Sequence, residues 1–410
     1  MNDNTVYVGR RMEIFPTDSQ KEFLNRYIDM YRGVYNWGME QQLEHYERYN
    51  SGLENSGFIT FFTLSKQFTK YKHSLPKNHW MRKFPSTTAK LALKDVVRSF
   101  DLLFRGLNRP PGYKSKRTAP MTFKTRKERC YIEDGRLRIE GLSRGETIKC
   151  STHVYDGHNG YPNKNKTGFG SPSITRDKYG RYFVSFLYQV PIRQIDSEPV
   201  EAIGIDLGIR QTFTLSTGEV FNQPDFTKLE KRISRQEKRL QKDYERARRN
   251  RSRTKTDDTG NANLESDIIP KSNRCLKREA KQHKLYRKIS NTKRTFYYQT
   301  INKIVKRNPK AICIETMRVE DLKRNNPFIT KHIANVSFYE IGEIFKHKCA
   351  QYNVPLIRAD KEFPSSQLCS NCGYRHREIG KKHTFVCPEC GFTIDRDLNA
   401  AINLRDLYIG

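Results

Sequence analysis

The hydrophobic pattern of the chain changes period three times, and each change marks a boundary. Residues 5–14 (TVYVGRRMEI) predict a strand closed by Pro16. Thr17 is placed to cap a helix with Asp18 in its first turn, and Phe23, Tyr27, Met30, Tyr31, Val34 and Trp37 follow at three- and four-residue spacing. The same spacing recurs over 60–75 and over 88–106 (Leu91, Leu93, Val96, Val97, Phe100, Leu103), so 17–106 is expected to be a helical insertion after one strand. Pro110-Pro111-Gly112 ends that regime. Short β-like runs follow (MTFKT, CYIED, RLRIE, ETIKC), with a hairpin turn predicted at Asp134-Gly135 and a flexible loop at 156–170. SITRD and YFVSFLYQV, on either side of Lys178-Tyr179-Gly180, predict a further hairpin.

At residue 201 the pattern shifts again. Residues 202–217 (AIGIDLGIRQTFTLST) read as strand, tight turn and strand. Two basic helical stretches follow at 227–251 and 273–308, separated by polar chain. A short apolar strand at 310–315, a helix at 335–352, a strand at 354–358 and a last helix at 396–408 complete the series. The expected fold is thus mixed α and β and multidomain. Its first module is a small β-barrel or sandwich (1–16 and 107–200), interrupted by the helical insertion 17–106.

Composition narrows what such a chain can do. Lys and Arg number 76 against 45 Asp and Glu, a net charge of +31 over 410 residues. A charge of that size calls for a polyanion, and nucleic acid is the natural one, because neutralising phosphates releases counterions. Residues 227–251 alone hold 11 Lys/Arg and 4 Asp/Glu, +7 over 25 residues, so phosphate contact is expected there rather than a merely solvated face. With 22 Tyr and 23 Phe the chain has enough aromatic mass to bury a core, and at helical spacing those of the insertion are expected in the core rather than stacked on bases. No apolar run approaches the ~20 residues of a membrane span, and residues 1–11 lack the apolar centre of a signal peptide, so neither a membrane nor a secreted protein is expected.

Chemistry concentrates in two sets of residues. The first is Cys369-x2-Cys372 and Cys387-x2-Cys390, each pair followed directly by a glycine. Two such knuckles supply the four thiolates of a closed structural zinc site, and the other five cysteines are scattered, as in a reduced compartment. The second set is acidic. Asp206 ends one apolar strand (IGID), Glu315 ends another (AICIE), and IDRDLNAA after the cysteines offers a third carboxylate, Asp395 or Asp397. Carboxylates ending adjacent strands can converge on divalent cations, and Mg²⁺ suits an oxygen shell that also takes substrate phosphates.

The order of these residues carries a resemblance. GIDLGIR (204–210), ICIETMRVEDL (312–322), SSQLCSNCGY (365–374), CPECG (387–391) and DRDLNAAIN (395–403) resemble the TnpB proteins of bacterial insertion sequences, relatives of compact type V CRISPR effectors. The resemblance implies an RNase-H-like (RuvC) domain over 201–366 and 393–410, including the basic helices at 227–308, with a zinc ribbon at 367–392. It implies that Asp206, Glu315 and Asp397 hold catalytic Mg²⁺ as a pair of ions, and that Cys369, Cys372, Cys387 and Cys390 hold Zn²⁺. The family pattern places its last acid two residues before Asn-Ala-Ala, which selects Asp397 and leaves Asp395 to cap the last helix; Glu315, directly after its strand, is selected over Glu320. The implied activity is an RNA-guided, Mg²⁺-dependent DNA endonuclease that cuts beside a short target-adjacent motif. Its implied partners are a guide RNA and a double-stranded DNA target; a cytoplasmic monomer, on the nucleoid when bound to DNA, is expected. A compact CRISPR effector and a non-cleaving RNA-guided repressor are the alternatives, and the intact acid trio counts against the second.

Overall fold

The computed structural model describes residues 5–53, 55, 57–116, 121–151, 170–177, 179–209, 211–254, 272–316, 337–360, 362–377 and 383–408. They fold as two units, one spanning Tyr7–Val190 and the other taking up the chain from Pro191 onward. The loop predicted at 156–170 lies, but for Gly170, outside the described residues, as do Glu320 and the latter half of the 312–322 motif.

In the first unit, β1 (Thr5–Phe15) leads into α1 (Asp18–Asn50) through a reciprocal cap. The Thr17 hydroxyl accepts the Gln20 N–H at 3.4 Å, and the Gln20 side chain accepts the Thr17 N–H at 3.1 Å, so two donors that the helix cannot use internally are satisfied. One face of α1 buries Leu24, Tyr27, Tyr31, Val34 and Met39, and α3 (Ser86–Phe104) packs along it, close enough at Gly38 that a Cβ there would stand 3.0 Å from Leu93. Buried Gln42 grips Ile59 at both its N–H and its carbonyl, which fixes the entry to α2 (Phe61–Ser74). The aromatic residues of the insertion are largely core, as the spacing predicts: Tyr27, Tyr31, Tyr35, Phe68, Phe84 and Phe100 are all buried.

The strands of this unit form a seven-stranded sheet of order β2-β6-β7-β1-β5-β4-β3, where β2 is Met121–Lys124, β3 Cys130–Glu133, β4 Arg136–Ile139, β5 Ile148–Cys150, β6 Ser173–Arg176 and β7 Tyr182–Pro191. Strands β2 and β3 occupy opposite edges, yet only residues 125–129 join them. Six strand spacings of ~4.8 Å would separate flat edges by about 29 Å, whereas this connection spans at most about 22 Å fully extended. The sheet therefore curls until its edges approach. Asp134 and Gly135, at φ 48° and 70°, make the tight hairpin between β3 and β4 that the Asp-Gly pair predicts.

The second unit is built on a five-stranded sheet of order β10-β9-β8-β11-β12. Here β8 is Ile203–Asp206, β9 Phe213–Leu215, β10 Val220–Phe221, β11 Ile312–Ile314 and β12 Leu356–Arg358. Strands β8, β11 and β12 run parallel, and β9 and β10 antiparallel. Both faces of the parallel strands are covered, which is why they read as unbroken apolar runs. Ile203, Ile205, Ile312 and Ile314 pack with Tyr297 and Ile301 of α5 (Asn273–Val305) and with Ile341 and Phe345 of α6 (Phe338–Tyr352). The alternate residues Gly204 and Cys313 meet α7 (Arg396–Asp406). α4 (Thr227–Thr254) pairs with the first half of α5 over a thin apolar seam of Phe226, Ile233, Leu285 and Ile289.

Candidate carboxylate site and cysteine cluster

The backbone brings the three predicted acids together. Ile205 and Ile314 are register partners on parallel neighbours, so Asp206 and Glu315 follow side by side as the chain leaves the two strands. Alternation puts both on the face that α7 covers. Gly204 fixes how closely that helix approaches: a Cβ there would lie 1.9 Å from the carbonyl oxygen of Ala401 and 2.4 Å from the N of Arg405. One helical turn back from Ala401, about 6 Å along the axis, stands Asp397; two residues on from Gly204, about 7 Å along the strand, stands Asp206. Both distances lead to the same end of the sheet.

The electrostatics report the same convergence. Burial, then the charges of Glu315 and Asp397, hold the Asp206 carboxyl well above the ordinary carboxylate range, against the pull of Arg396. Burial and then Asp397 push Glu315 up to about 7. The only cation paired with the trio among the described residues is Arg396, whose guanidinium lies 3.4 Å from Asp397. Asp395 does something else. Its side chain accepts the N–H groups of Asp397 and Leu398, each at 3.0 Å, and so caps α7 as expected of it. The donor chemistry suits a divalent cation, since three mutually repelling carboxylates are relieved by added positive charge and oxygen ligands suit Mg²⁺, although their oxygens are not drawn within 4.8 Å of one another as the cysteine sulfurs are.

The four cysteines form a tighter group. Their sulfurs all lie within 4.8 Å of one another, the only such set of three or more His, Cys, Asp or Glu among the described residues. Cys369 Sγ is 3.7 Å from Cys390 Sγ, and Cys372 Sγ is 3.6 Å from Cys387 Sγ. A tetrahedron with Zn–S bonds of ~2.3 Å has edges of about 3.8 Å, so these sulfurs stand as a zinc ion requires. Each knuckle is the same turn. Gly373 and Gly391, at φ 76° and 72°, send their N–H groups back to the carbonyls of Cys369 and Cys387. The second knuckle joins β13 (Thr384–Val386) to β14 (Thr393–Asp395), which runs directly into α7. The Phe392 N–H and Asn371 draw the Cys390 thiol down to about 6, while against the pull of the Tyr374 N–H the desolvation and the neighbouring sulfurs raise that of Cys372 to about 12.

The basic helices form an open cleft lined by Gln236, Arg239, Arg274, Lys277, Arg278 and Lys281, in which Arg278 pairs with Asp243 at 2.5 Å. Three residues beside the trio lie in the quoted stretches but were given no role of their own from the sequence: Gly204, whose missing side chain admits α7, and Asn399 and Asn403, both buried on α7.

Comparison with known proteins adds names to this geometry. Three family models match: a helix-turn-helix domain of OrfB_IS605 type over 5–51, a "Probable transposase" of OrfB_IS605 type over 185–257, and a "Cas12f1-like, TNB domain" over 338–404. The second contains Asp206, and the third contains the four cysteines and Asp397. Over 5–51 the observed elements are one strand and one unbroken helix. A "Putative RNA-guided DNA endonuclease" of Streptomyces pristinaespiralis is 24% identical over 400 residues, 96% of this chain and 87% of its own. "Putative RNA-guided DNA endonuclease InsQ" of Escherichia coli K12 is 20% identical over 411 residues, 96% of this chain and 90% of its own. The fold is similar to that of Cas12f1 in a cryo-EM structure of a Cas12f1–sgRNA–target DNA complex, with a TM-score of 0.50 and 13% identity over 95% of this chain and 83% of that one.

Proposed function

We propose that this chain, a member of the TnpB family, is an RNA-guided DNA endonuclease whose cutting centre is Asp206, Glu315 and Asp397. The convergence of these acids at the ends of β8 and β11 and in the first turn of α7 carries the proposal. The strand order β10-β9-β8-β11-β12, antiparallel and then parallel, supports the RNase-H-like (RuvC) reading of this sheet. The names of the two full-length relatives and the fold shared with Cas12f1 support the guided-nuclease reading.

In this reading the three carboxylates hold Mg²⁺, which when bound supplies positive charge to the scissile phosphate and activates water for phosphodiester hydrolysis. The chain's own part is to hold the acids in place. Burial, and then the charge of Asp397, oppose ionisation of Glu315, so without metal it holds its proton up to about pH 7. Arg396 holds Asp397, and Asp395 holds the first turn of the helix that bears it. Cys369, Cys372, Cys387 and Cys390 hold Zn²⁺ in a closed shell, so that ion is structural, and the segment 367–392 is a zinc ribbon.

The curled sheet with its helical insertion grips the guide RNA and reads a short motif beside the target. The cations of α4 and α5 hold phosphates, and pairing of guide with target supplies the sequence specificity. The protein acts as a monomer in the bacterial cytoplasm and serves retention of an insertion sequence. The intact trio favours this reading over that of a non-cleaving repressor. Replacing Asp206, Glu315 or Asp397 singly by Ala should abolish cleavage, on the order of 10³-fold or more, while RNA and target binding change less than about threefold. Retained cleavage in any of the three would remove that residue from the site, and loss of RNA binding would make its role structural.

A further inference from the structure

Two buried amides tie the first cysteine knuckle to the helix that carries Asp397. Asn399 is 0% exposed and Asn403 8%. The Asn399 side chain accepts the Ser370 N–H at 2.9 Å and donates to the Leu368 carbonyl at 2.6 Å. Asn403, one turn further along the same helix, donates to the carbonyls of Ser365 (2.7 Å) and Leu368 (2.8 Å). All four bonds run to the backbone of 365–370, the segment that delivers Cys369 to the cluster, and the Leu368 carbonyl takes one from each amide. Asparagine is a poor helix former, and a buried amide left unbonded costs about 1–3 kcal/mol. An apolar residue would fill these positions as well if α7 had only to pack. On its other side α7 rests backbone against backbone on β8 at Gly204.

The first turn of α7 is held at its start only: Asp395 caps it, the Arg396 N–H donates to the His383 carbonyl at 2.8 Å, and the Arg396 side chain pairs with Asp397. The direction of the Asp397 carboxylate depends as well on how the next turns of the helix are clamped between β8 and the first knuckle.

We propose that Asn399 and Asn403 are positioning residues that make the cysteine cluster and the carboxylate-bearing helix one body, so that zinc in the cluster sets the affinity of the carboxylate trio for its divalent cation. The proposal rests on the reading of Asp206, Glu315 and Asp397 as a metal site. Zinc closes the knuckle, the knuckle backbone holds the two amides, and the amides hold α7 in register with β8. Outer-shell partners of this kind typically change metal affinity or activity by about 10- to 100-fold when removed.

The test is a titration of the full-length chain with Mn²⁺, followed by electron paramagnetic resonance, with Asp206→Ala as the blank so that only site-dependent binding is counted. Asn399→Ala and Asn403→Ala should each keep one zinc per chain, since the four thiolates remain, yet weaken the Asp206-dependent Mn²⁺ affinity by about 10- to 100-fold. Chelation of zinc from the unmutated chain should weaken it likewise, and restoring zinc should recover it. This second arm decides the matter if the variants fail to fold, as judged by their circular dichroism. Unchanged Mn²⁺ affinity in both variants, or on zinc removal, would overturn the strap alone. Absence of any Asp206-dependent binding in the unmutated chain would sink the metal-site reading and the strap with it.

Discussion

Asp395 and Asp397 sit two residues apart at the start of α7 and face different tasks. Asp395 spends both its acceptor contacts on backbone N–H groups, while Asp397 adds its charge to those of Asp206 and Glu315. Asp395→Asn or Asp395→Ser should keep the cap, and Asp395→Ala should lose about 1 kcal/mol of stability in urea unfolding. A loss of cleavage as complete in Asp395→Asn as in Asp397→Ala would reverse the two assignments. Glu315 gives a pH-dependent counterpart. Unfolded, it holds its proton to about 4.5; folded and without metal, to about 7. The folded state binds more protons across that window, so the metal-free chain loses stability as pH rises through it. Glu315→Gln, which cannot ionise, should therefore raise the melting temperature of the metal-free protein at pH 8 and leave it nearly unchanged at pH 4. A destabilised variant at pH 8 would mean that Glu315 is paired rather than repelled. Much at this scale was legible in the sequence, because each acid is announced by the apolar strand or the helix start beside it. The roles of Asn399 and Asn403 were not, although both lie in DRDLNAAIN, since their partners lie 29 to 38 residues away and nothing local marks an amide as bonded across that distance.

Among the elements, caps and turns were read most directly, because their chemistry is confined to a few residues. Thr17, Asp134-Gly135 and the two glycine-ended knuckles all stand as their sequences predict, and Gln20 adds the reciprocal half of the Thr17 cap. The seat of α7 on β8 could not be read that way. Gly204 looks like one glycine of a short motif until the helix is placed against it. Gly204→Ala would drive a methyl into the Ala401 carbonyl, so we expect a stability loss of about 2 kcal/mol or more by denaturant unfolding, and cleavage lost with it. Wild-type stability in this variant would show that the helix does not rest there. The knuckles allow a second check: Cys369→Ser removes one of four ligands and should lower bound zinc well below one per chain, measured by plasma emission on the purified protein. Full zinc content would contradict the cluster assignment.

For the molecule as a whole, the charge pattern and a barrel or sandwich for the first module were readable before the fold, and the strand order of that curled sheet was not. The seven-stranded order follows from pairings as distant as β1 with β5 and β6 with β2, which no local period encodes. Charge has its own consequence. With +31 on the chain and a cation-lined cleft between α4 and α5, RNA affinity should fall steeply with salt. Lys277→Ala and Lys281→Ala should each shrink the log–log slope by about one if they meet phosphates. An unchanged slope in both would move the phosphate track elsewhere.

The central claim is that an RNA bound by this chain directs the Asp206 centre to a DNA sequence. The most direct measurement is to purify the protein from cells carrying its native locus, sequence the RNA that accompanies it, and offer the complex duplex DNA matching one end of that RNA in Mg²⁺. We predict a single discrete RNA and a cut confined to the matched duplex. Heterogeneous RNA or none, or cutting of matched and unmatched duplexes alike, would contradict it.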